Sequence, residues 1–282
     1  MATCLVTKLK GVSDNNNLPK MGEWIFSTKQ QTITDATKQL QFYINAAAGT
    51  VVSADGVTFT PVTLDGRTNT PIDCPNGNYR IHISDKYSIT LFSINSVNTP
   101  PAIFDVNLND LGYALGLKNL RVANTEKVTL DVSNLANLSV LETCVVFDSP
   151  GVFGDIAALA GISTLKNLSF KDTGVYGDIS AINASANNLV TAYFENTGVT
   201  GDLANITSFK KDGATVYSYL LLENTKVTGT IESLAANIGP YRSGGYLVVG
   251  CAGTAITYQG NVVNRQIKIT FNGTANPTIE FL

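Results

Sequence analysis

One phrase comes back along this chain, and its return constrains the fold more than any other feature. KDTGVYGDISAI at 171–182 recurs as ENTGVTGDLANI at 195–206, with glycine, aspartate and apolar residues in register. A string repeated in this way is a structural unit that stacks on copies of itself rather than a private active site. Asn124, Asp148, Asp172, Asn196 and Asn224 set the period, in steps of 24, 24, 24 and 28 residues. A hydroxyl follows each (Thr125, Ser149, Thr173, Thr197, Thr225), then an apolar column of Val128, Val152, Val175, Val199 and Val227. Gly154, Gly177, Gly201 and Gly229 come next, then Asp131, Asp155, Asp178 and Asp202, a series that Thr230 breaks. Two further apolar columns close the phrase, one from Val132 to Ile231 and one from Leu135 to Leu234.

Upstream of each Asn or Asp lies an alternating segment: Leu117, Leu120, Val122; Leu141, Cys144, Val146; Leu165, Leu168, Phe170; Leu189, Ala192, Phe194; and Tyr217, Leu220, Leu222. Alternation of period two predicts a short strand with these residues inward, after which the Asn or Asp turns the chain. One coil cannot bury its own apolar edge. Stacked coils share a core in which each large buried side chain contributes roughly 1.5–3 kcal/mol, and stability becomes a sum of nearest-neighbour terms.

The L-x-x-L-x-L-x-x-N spacing followed by Gly-x-Ile resembles the 24-residue class of leucine-rich repeats, over about residues 115–260. Ser or Ala stands here where that family commonly has proline after Gly-x-Ile. The resemblance implies a solenoid that binds partners through its concave sheet. Residues 1–100 alternate apolar and polar residues between Gly, Asn, Asp and Pro, which predicts short strands. The expected fold is therefore mainly β and poor in helix. A β-sandwich-like attachment or capping domain (1–100) is followed by a leucine-rich-repeat solenoid (101–260) and a C-terminal β cap (261–282), the last built from NRQIKITFNGTANPTIEFL around an Asn-Gly turn. The insertion KKDGATV at 210–216 predicts a polar rim loop, and FDVNLNDLGYALGL at 104–117 a helical turn leading into the first complete repeat.

The opening MATCLVTKLKGVSDNNNLPKMGE is similar to the openings of virion structural proteins of Bacteroidetes-infecting, crAss-like phages. That resemblance implies a virion appendage, a head-fibre or tail-associated protein. It would dock on other virion proteins by its N-terminal region, form a homo-oligomer and meet a host surface protein or polysaccharide. Two alternatives stand beside it: a bacterial leucine-rich-repeat recognition module without a phage, and a carbohydrate-active enzyme.

Low charge content (15%), net charge −3 and pI near 5.2 argue against a broad basic surface for nucleic acid. The opening lacks a signal-type apolar run behind a basic region, and no stretch approaches the roughly 20 apolar residues of a membrane span, so membrane insertion is not expected. Cys4, Cys74, Cys144 and Cys251 lie far apart, so neither a zinc site nor a redox pair is written locally, and Cys144 and Cys251 fall on core columns, which favours small buried hydrophobes over a disulfide framework. His82, the single histidine, falls in the alternating run YRIHIS and reads as a strand residue. DVNLND at 105–110 lacks the glycine and terminal glutamate of a calcium loop and reads as a turn. The column Asp155, Asp178, Asp202 reads as turn carboxylates rather than a metal ladder.

No catalytic, cofactor or metal residues are expected. Glu195 and Glu223 occupy corresponding positions of adjacent strands, which permits a carboxylate pair, but no cleft accompanies them in the sequence. The side chains that flank the buried leucines should face outward. Among them Phe147, Tyr193, Tyr219 and Leu221 are the expected contact residues, with Lys171, Glu195 and Glu223 as polar partners.

Overall fold

The computed structural model describes residues 24–30, 41–45, 51–53, 60–61, 78–83, 89–95, 104–125, 128–185, 188–207, 209, 217–238, 245–271 and 277–282. The alternating segments form short parallel strands: Asn119–Ala123, Thr143–Phe147, Asn167–Ser169, Thr191–Tyr193, Tyr217–Leu221 and Tyr246–Gly250. They pair in the register of the sequence columns. Leu120 lies opposite Cys144, Cys144 opposite Leu168, Leu168 opposite Ala192, Ala192 opposite Leu220 and Leu220 opposite Val249. This is the L-x-L sheet. A second parallel sheet, the Gly-Asp sheet, contains Val128–Asp131, Val152–Asp155, Gly174–Asp178, Gly198–Asp202, Lys226–Thr230 and Ala255–Tyr258. The inward columns of both sheets are buried as one continuous core, with Phe92, Phe170, Phe194 and Phe209 among its largest side chains. The fold is a solenoid of stacked coils, mainly β and with few helices.

Each column has a local cause. Asn124, Asp148, Asp172, Asn196 and Asn224 turn the chain with φ between 49° and 57°, a left-handed conformation that Asn and Asp tolerate better than other side chains. The hydroxyl that follows closes the turn from inside: Thr173, Thr197 and Thr225 donate to the carbonyls of Phe170, Phe194 and Leu222 at 2.6–2.7 Å. On the Gly-Asp sheet, Asp131, Asp155, Asp178 and Asp202 each accept from the backbone N–H two residues on, at 2.8–2.9 Å. They cap the 3-10 turns Val132–Leu135, Ile156–Gly161, Ile179–Ala184 and Leu203–Asn205. The carboxylates expected to be turn residues are N-caps. Thr230 takes the same slot in the fifth coil, where its Oγ1 accepts from Ser233 N at 3.0 Å and begins the α-helix Ile231–Ile238.

The coil pattern extends further towards the N-terminus than the columns of the sequence. Leu91–Asn95 pairs in parallel with Asn119–Ala123, Phe92 opposite Leu120 and Ile94 opposite Val122. Phe104–Asn107 pairs in parallel with Val128–Asp131. Of the segment 104–117 expected to be a helical turn, Asn109–Tyr113 is a 3-10 helix and Phe104–Asn107 is a strand; Asn107 Oδ1, just ahead of the helix, accepts from Asn109 N at 2.9 Å. The described residues 89–95 and 104–117 thus pair as the later coils do.

At the other end, Val249, Cys251 and Ile256 fill the apolar slots of the last, degenerate coil, and Gly253, with φ 72°, replaces its Asn. Gln266–Thr270 then pairs antiparallel with Tyr246–Gly250, and Thr278–Phe281 pairs with Gln266–Thr270. These two strands cap the L-x-L sheet; the Asn-Gly turn between them lies outside the described residues. Upstream, Trp24–Gln30 pairs antiparallel with Asn78–Ile83, the strand that carries His82, and with Phe104–Asn107. Gln41–Asn45 pairs antiparallel with Leu91–Asn95. Much of the sandwich-like region expected over 1–100, the opening 1–23, the insertion 210–216, Cys4 and Cys74 lie outside the described residues. Cys144 and Cys251 are free and buried, and burial pushes both thiols up to about 12. Among the described residues, no helix is long and apolar enough to cross a membrane.

Candidate recognition face

Side chains that alternate with the buried leucines stand on the outer face of the L-x-L sheet. Phe147, Tyr193, Glu195, Tyr219, Leu221 and Glu223 are partly exposed there, and Lys171 is exposed. The parallel register brings several of them together: Tyr193 lies opposite Leu221 and Thr191 opposite Tyr219. Phe147 sits two coils away and belongs to the far side of the face. Ala123, Thr143 and Ser169, also expected outward, are too small to rise above their neighbours and are buried.

Tyr217 departs from its expected place. It occupies an inward column in the sequence, yet half its surface is exposed (50%), while the adjacent Ser218 is fully buried. The residues inserted before this strand break the 24-residue spacing, so the column no longer dictates which way Tyr217 points. Its ring instead stacks on Tyr246 of the next coil, with centroids 4.4 Å apart. Lys268 of the cap lies over the Tyr246 ring at 5.3 Å and pairs with Glu280 at 3.2 Å. A hydrogen bond with the Tyr219 side chain holds the Tyr246 phenol above its ordinary value, helped by burial and the nearby Tyr217. Burial likewise raises the Tyr193 phenol, with Tyr219 and Glu195 adding to it. Four tyrosines from three successive coils thus form one aromatic end to the face. The equivalent positions of Tyr217 and Tyr246 in two neighbouring copies were the signal for the missing pair.

Beside the tyrosines lie Glu195 and Glu223. Burial raises the Glu195 carboxyl above its ordinary value, and the charge of Glu223 adds to that rise. Glu223 Oε1 accepts from Gln266 Nε2 at 3.2 Å. A Cβ placed on Gly250 would strike the Glu223 carboxylate, so the glycine is what gives that side chain room over the last coil. Lys171 reaches Asp172 at 3.8 Å. Glu195 and Glu223 hold corresponding places just after the strands of adjacent coils, Asn196 N donating to the Glu223 carbonyl at 2.9 Å and Asp172 N to that of Glu195 at 2.9 Å. The arrangement offers aromatic surface, hydrogen-bond acceptors and the exposed ammonium of Lys171.

No protein-family model and no curated protein matches the chain. Solved structures that resemble it include the leucine-rich-repeat ectodomain of a membrane receptor kinase from Arabidopsis thaliana in complex with Casparian strip integrity factor 2, at 19% identity and TM-score 0.39. That match covers 53% of this chain and 20% of the kinase ectodomain. An internalin from Listeria monocytogenes matches at 17% identity and TM-score 0.36, over 60% of this chain and 49% of its own. Pollen receptor kinase 3 matches at 15% identity and TM-score 0.43, over 62% and 78%. The chain therefore spans a fifth of the first and about half of the second.

Proposed function

We propose that this chain is a non-enzymatic recognition module that holds a macromolecular partner on the outer face of the L-x-L sheet, centred on Tyr193, Tyr219 and Leu221. The observation that carries this reading is the continuity of partly exposed aromatic and polar side chains across adjacent coils, beside the half-exposed Tyr217 stacked on Tyr246. Large apolar surface left contiguous on a folded chain marks a contact site, and tyrosines are frequent anchors in such patches.

A photo-crosslinking residue in place of Tyr193 or Tyr219, introduced in cells of the source, tests it. The expected outcome is a specific crosslinked partner from these positions and none from Tyr176, which is 52% exposed on the Gly-Asp sheet. Equal crosslinking from all three positions, or none, overturns the reading. Once a partner is in hand, Tyr219→Ala should weaken binding at least about tenfold, the effect of losing an anchor worth more than 1 kcal/mol.

The setting supported by the opening sequence is a virion appendage, head fibre or tail-associated, with residues 1–100 attached to the particle and the coils directed outward, in several copies. Mass spectrometry and cryo-electron microscopy of purified particles check this. A chain missing from the particles leaves a bacterial recognition module, for which the same face is the binding surface.

A further inference from the structure

Among the described residues, Thr278–Phe281 is the last strand of its sheet, so one side of it is an edge. The hydrogen-bond pattern fixes which groups that edge carries. Leu282 N donates to the Gln266 carbonyl at 3.0 Å, which makes Gln266 and Leu282 a bonded antiparallel pair. In the register of these two strands, Lys268 with Glu280 and Thr270 with Thr278 are then bonded pairs as well. The far side of Gln266–Thr270 has the complementary pattern, Cys251 N donating to the Arg265 carbonyl and Phe271 N to that of Gly245. The N–H and C=O groups of Ile279 and Phe281 therefore point out of the edge. Their side chains lie on the core side, Ile279 opposite Ile269 and Phe281 opposite Ile267, two isoleucines that are fully buried. Ile279 packs against the core, whereas Phe281 stays 54% exposed, with the Tyr258 ring edge-on at 5.8 Å and the Arg265 guanidinium over it at 5.6 Å. Each inner coil meets the next through the same two features, a paired strand edge and apolar side chains beneath it. Soluble chains commonly blunt such an edge with charge or proline, but Pro277 blunts only the start of this one, and Glu280 stands on the opposite face with Lys268 at 3.2 Å.

We propose that a second copy of the chain pairs with this edge, the two Thr278–Phe281 strands running antiparallel across a two-fold axis with Ile279 of each copy bonded to Phe281 of the other. This register satisfies every outward N–H and C=O of both residues in both copies. It also sets each half-exposed Phe281 beside the Ile279 of the other copy, on the core side, and so continues the stack in the way one coil follows another. The neighbouring register, with Ile279 against Ile279, places Phe281 opposite Pro277, which has no N–H to donate. In the favoured register the axis passes Glu280, so the two Glu280 side chains face each other on the outer side, each with its own Lys268. A contact made by the same strand on both copies closes on itself and stops at two. The inference rests on the cap and is independent of what the L-x-L face binds.

The test is sedimentation velocity of the full chain over a range of concentrations, with amide exchange read residue by residue by NMR. The expected result is a reversible dimer of the parent chain. Its Ile279 and Phe281 N–H groups should be protected at high concentration and exchange freely on dilution, while the Glu280 N–H, bonded within the copy, stays protected at both. Phe281→Lys sets a charge in the contact, and Phe281→Pro removes an outward N–H while leaving the pairing with Gln266–Thr270 intact. Each should weaken the dimer at least about thirtyfold. Glu280→Gln removes like charges opposed across the axis and should tighten it about twofold to fivefold. Tyr176→Lys, at a ring of similar exposure (52%) on the Gly-Asp sheet, should leave it unchanged. A parent that stays monomeric at every concentration, assemblies that grow beyond two copies, or a dimer that survives both Phe281 substitutions would overturn the proposal. So would a dimer whose Ile279 and Phe281 amides exchange as fast as in the monomer, a result that requires no variant to fold.

Discussion

Asn196 Nδ2 donates to Asp172 Oδ1 at 2.6 Å, and Asn224 Nδ2 donates to Asn196 Oδ1 at 2.7 Å. Each amide hands a proton to the coil before it, forming a ladder along the outside of the turns. The ladder changes character at Asp148 and Asp172, where two carboxyls meet and neither brings an amide. Burial, then the hydrogen bond to Asp172 and its charge, raise the Asp148 carboxyl above its ordinary value. The residue therefore opposes stability at neutral pH and does so less as pH falls through its folded value. Asp148→Asn keeps the left-handed turn and supplies the missing N–H. It should stabilise the chain by about 0.5–1 kcal/mol at neutral pH, a modest gain because the site is exposed, and reduce the acid slope. Chemical denaturation at two pH values checks this. The glycine column obeys a stricter rule. Gly177 has φ 118°, and a Cβ there would strike the Asp155 carboxylate of the preceding coil. Gly177→Ala combines backbone strain with the displacement of a cap and should cost about 2–4 kcal/mol. Gly161, with nothing within 4 Å of a built Cβ, is the control and should change by less than about 1 kcal/mol.

At the scale of the element, each turn of the coil shows what the sequence can and cannot disclose. Strands and turns were legible because a repeat states the same constraint many times: Val152, Val175 and Val199 are buried for one reason, and the columns show it. The single α-helix among the described residues was not foreseen, although Thr230, Ser233 and the apolar spacing Ile231, Leu234, Ala235, Ile238 write a capped helix. It stood where the columns promised another 3-10 turn, and the regular neighbours masked it. The coil-like pairing of Leu91–Asn95 and Phe104–Asn107 was missed for a related cause. Ile89, Phe92 and Ile94 keep the L-x-x-L-x-L spacing, but a step of 28 residues separates Ile94 from Val122, and Asn107 stands where the later coils have Asp. On the face, alternation correctly set Tyr193, Tyr219 and Glu195 outward. It could not show that Gly250 makes room for Glu223, or that Tyr217 turns out to meet Tyr246, since both depend on the neighbouring coil.

The whole molecule is a stack in which each coil answers mainly to the coils on either side, so damage should stay near where it is made. The cap is the sharpest place to test this. Gln266–Thr270 buries Ile267 and Ile269 completely against the last coil and occupies the edge of strand Tyr246–Gly250, which would otherwise present unpaired backbone groups to solvent. Ile269→Asp places an unpaired charge in that contact, a change large enough to detach the strand. Hydrogen exchange read by mass spectrometry should then show lost protection at 245–258 and, more weakly, at 217–230, while 119–147 stays as protected as in the parent chain. Leu168→Ala is the counterpart in the middle of the stack. It removes a buried side chain that has a coil on both sides, so it should cost about 2–5 kcal/mol and loosen 143–147 and 191–193 together. If Ile269→Asp instead opened 119–147 as much as 245–258, the chain would unfold as one cooperative block. The recognition face would then have to be understood as a property of the entire sheet and not of the coils that carry its tyrosines.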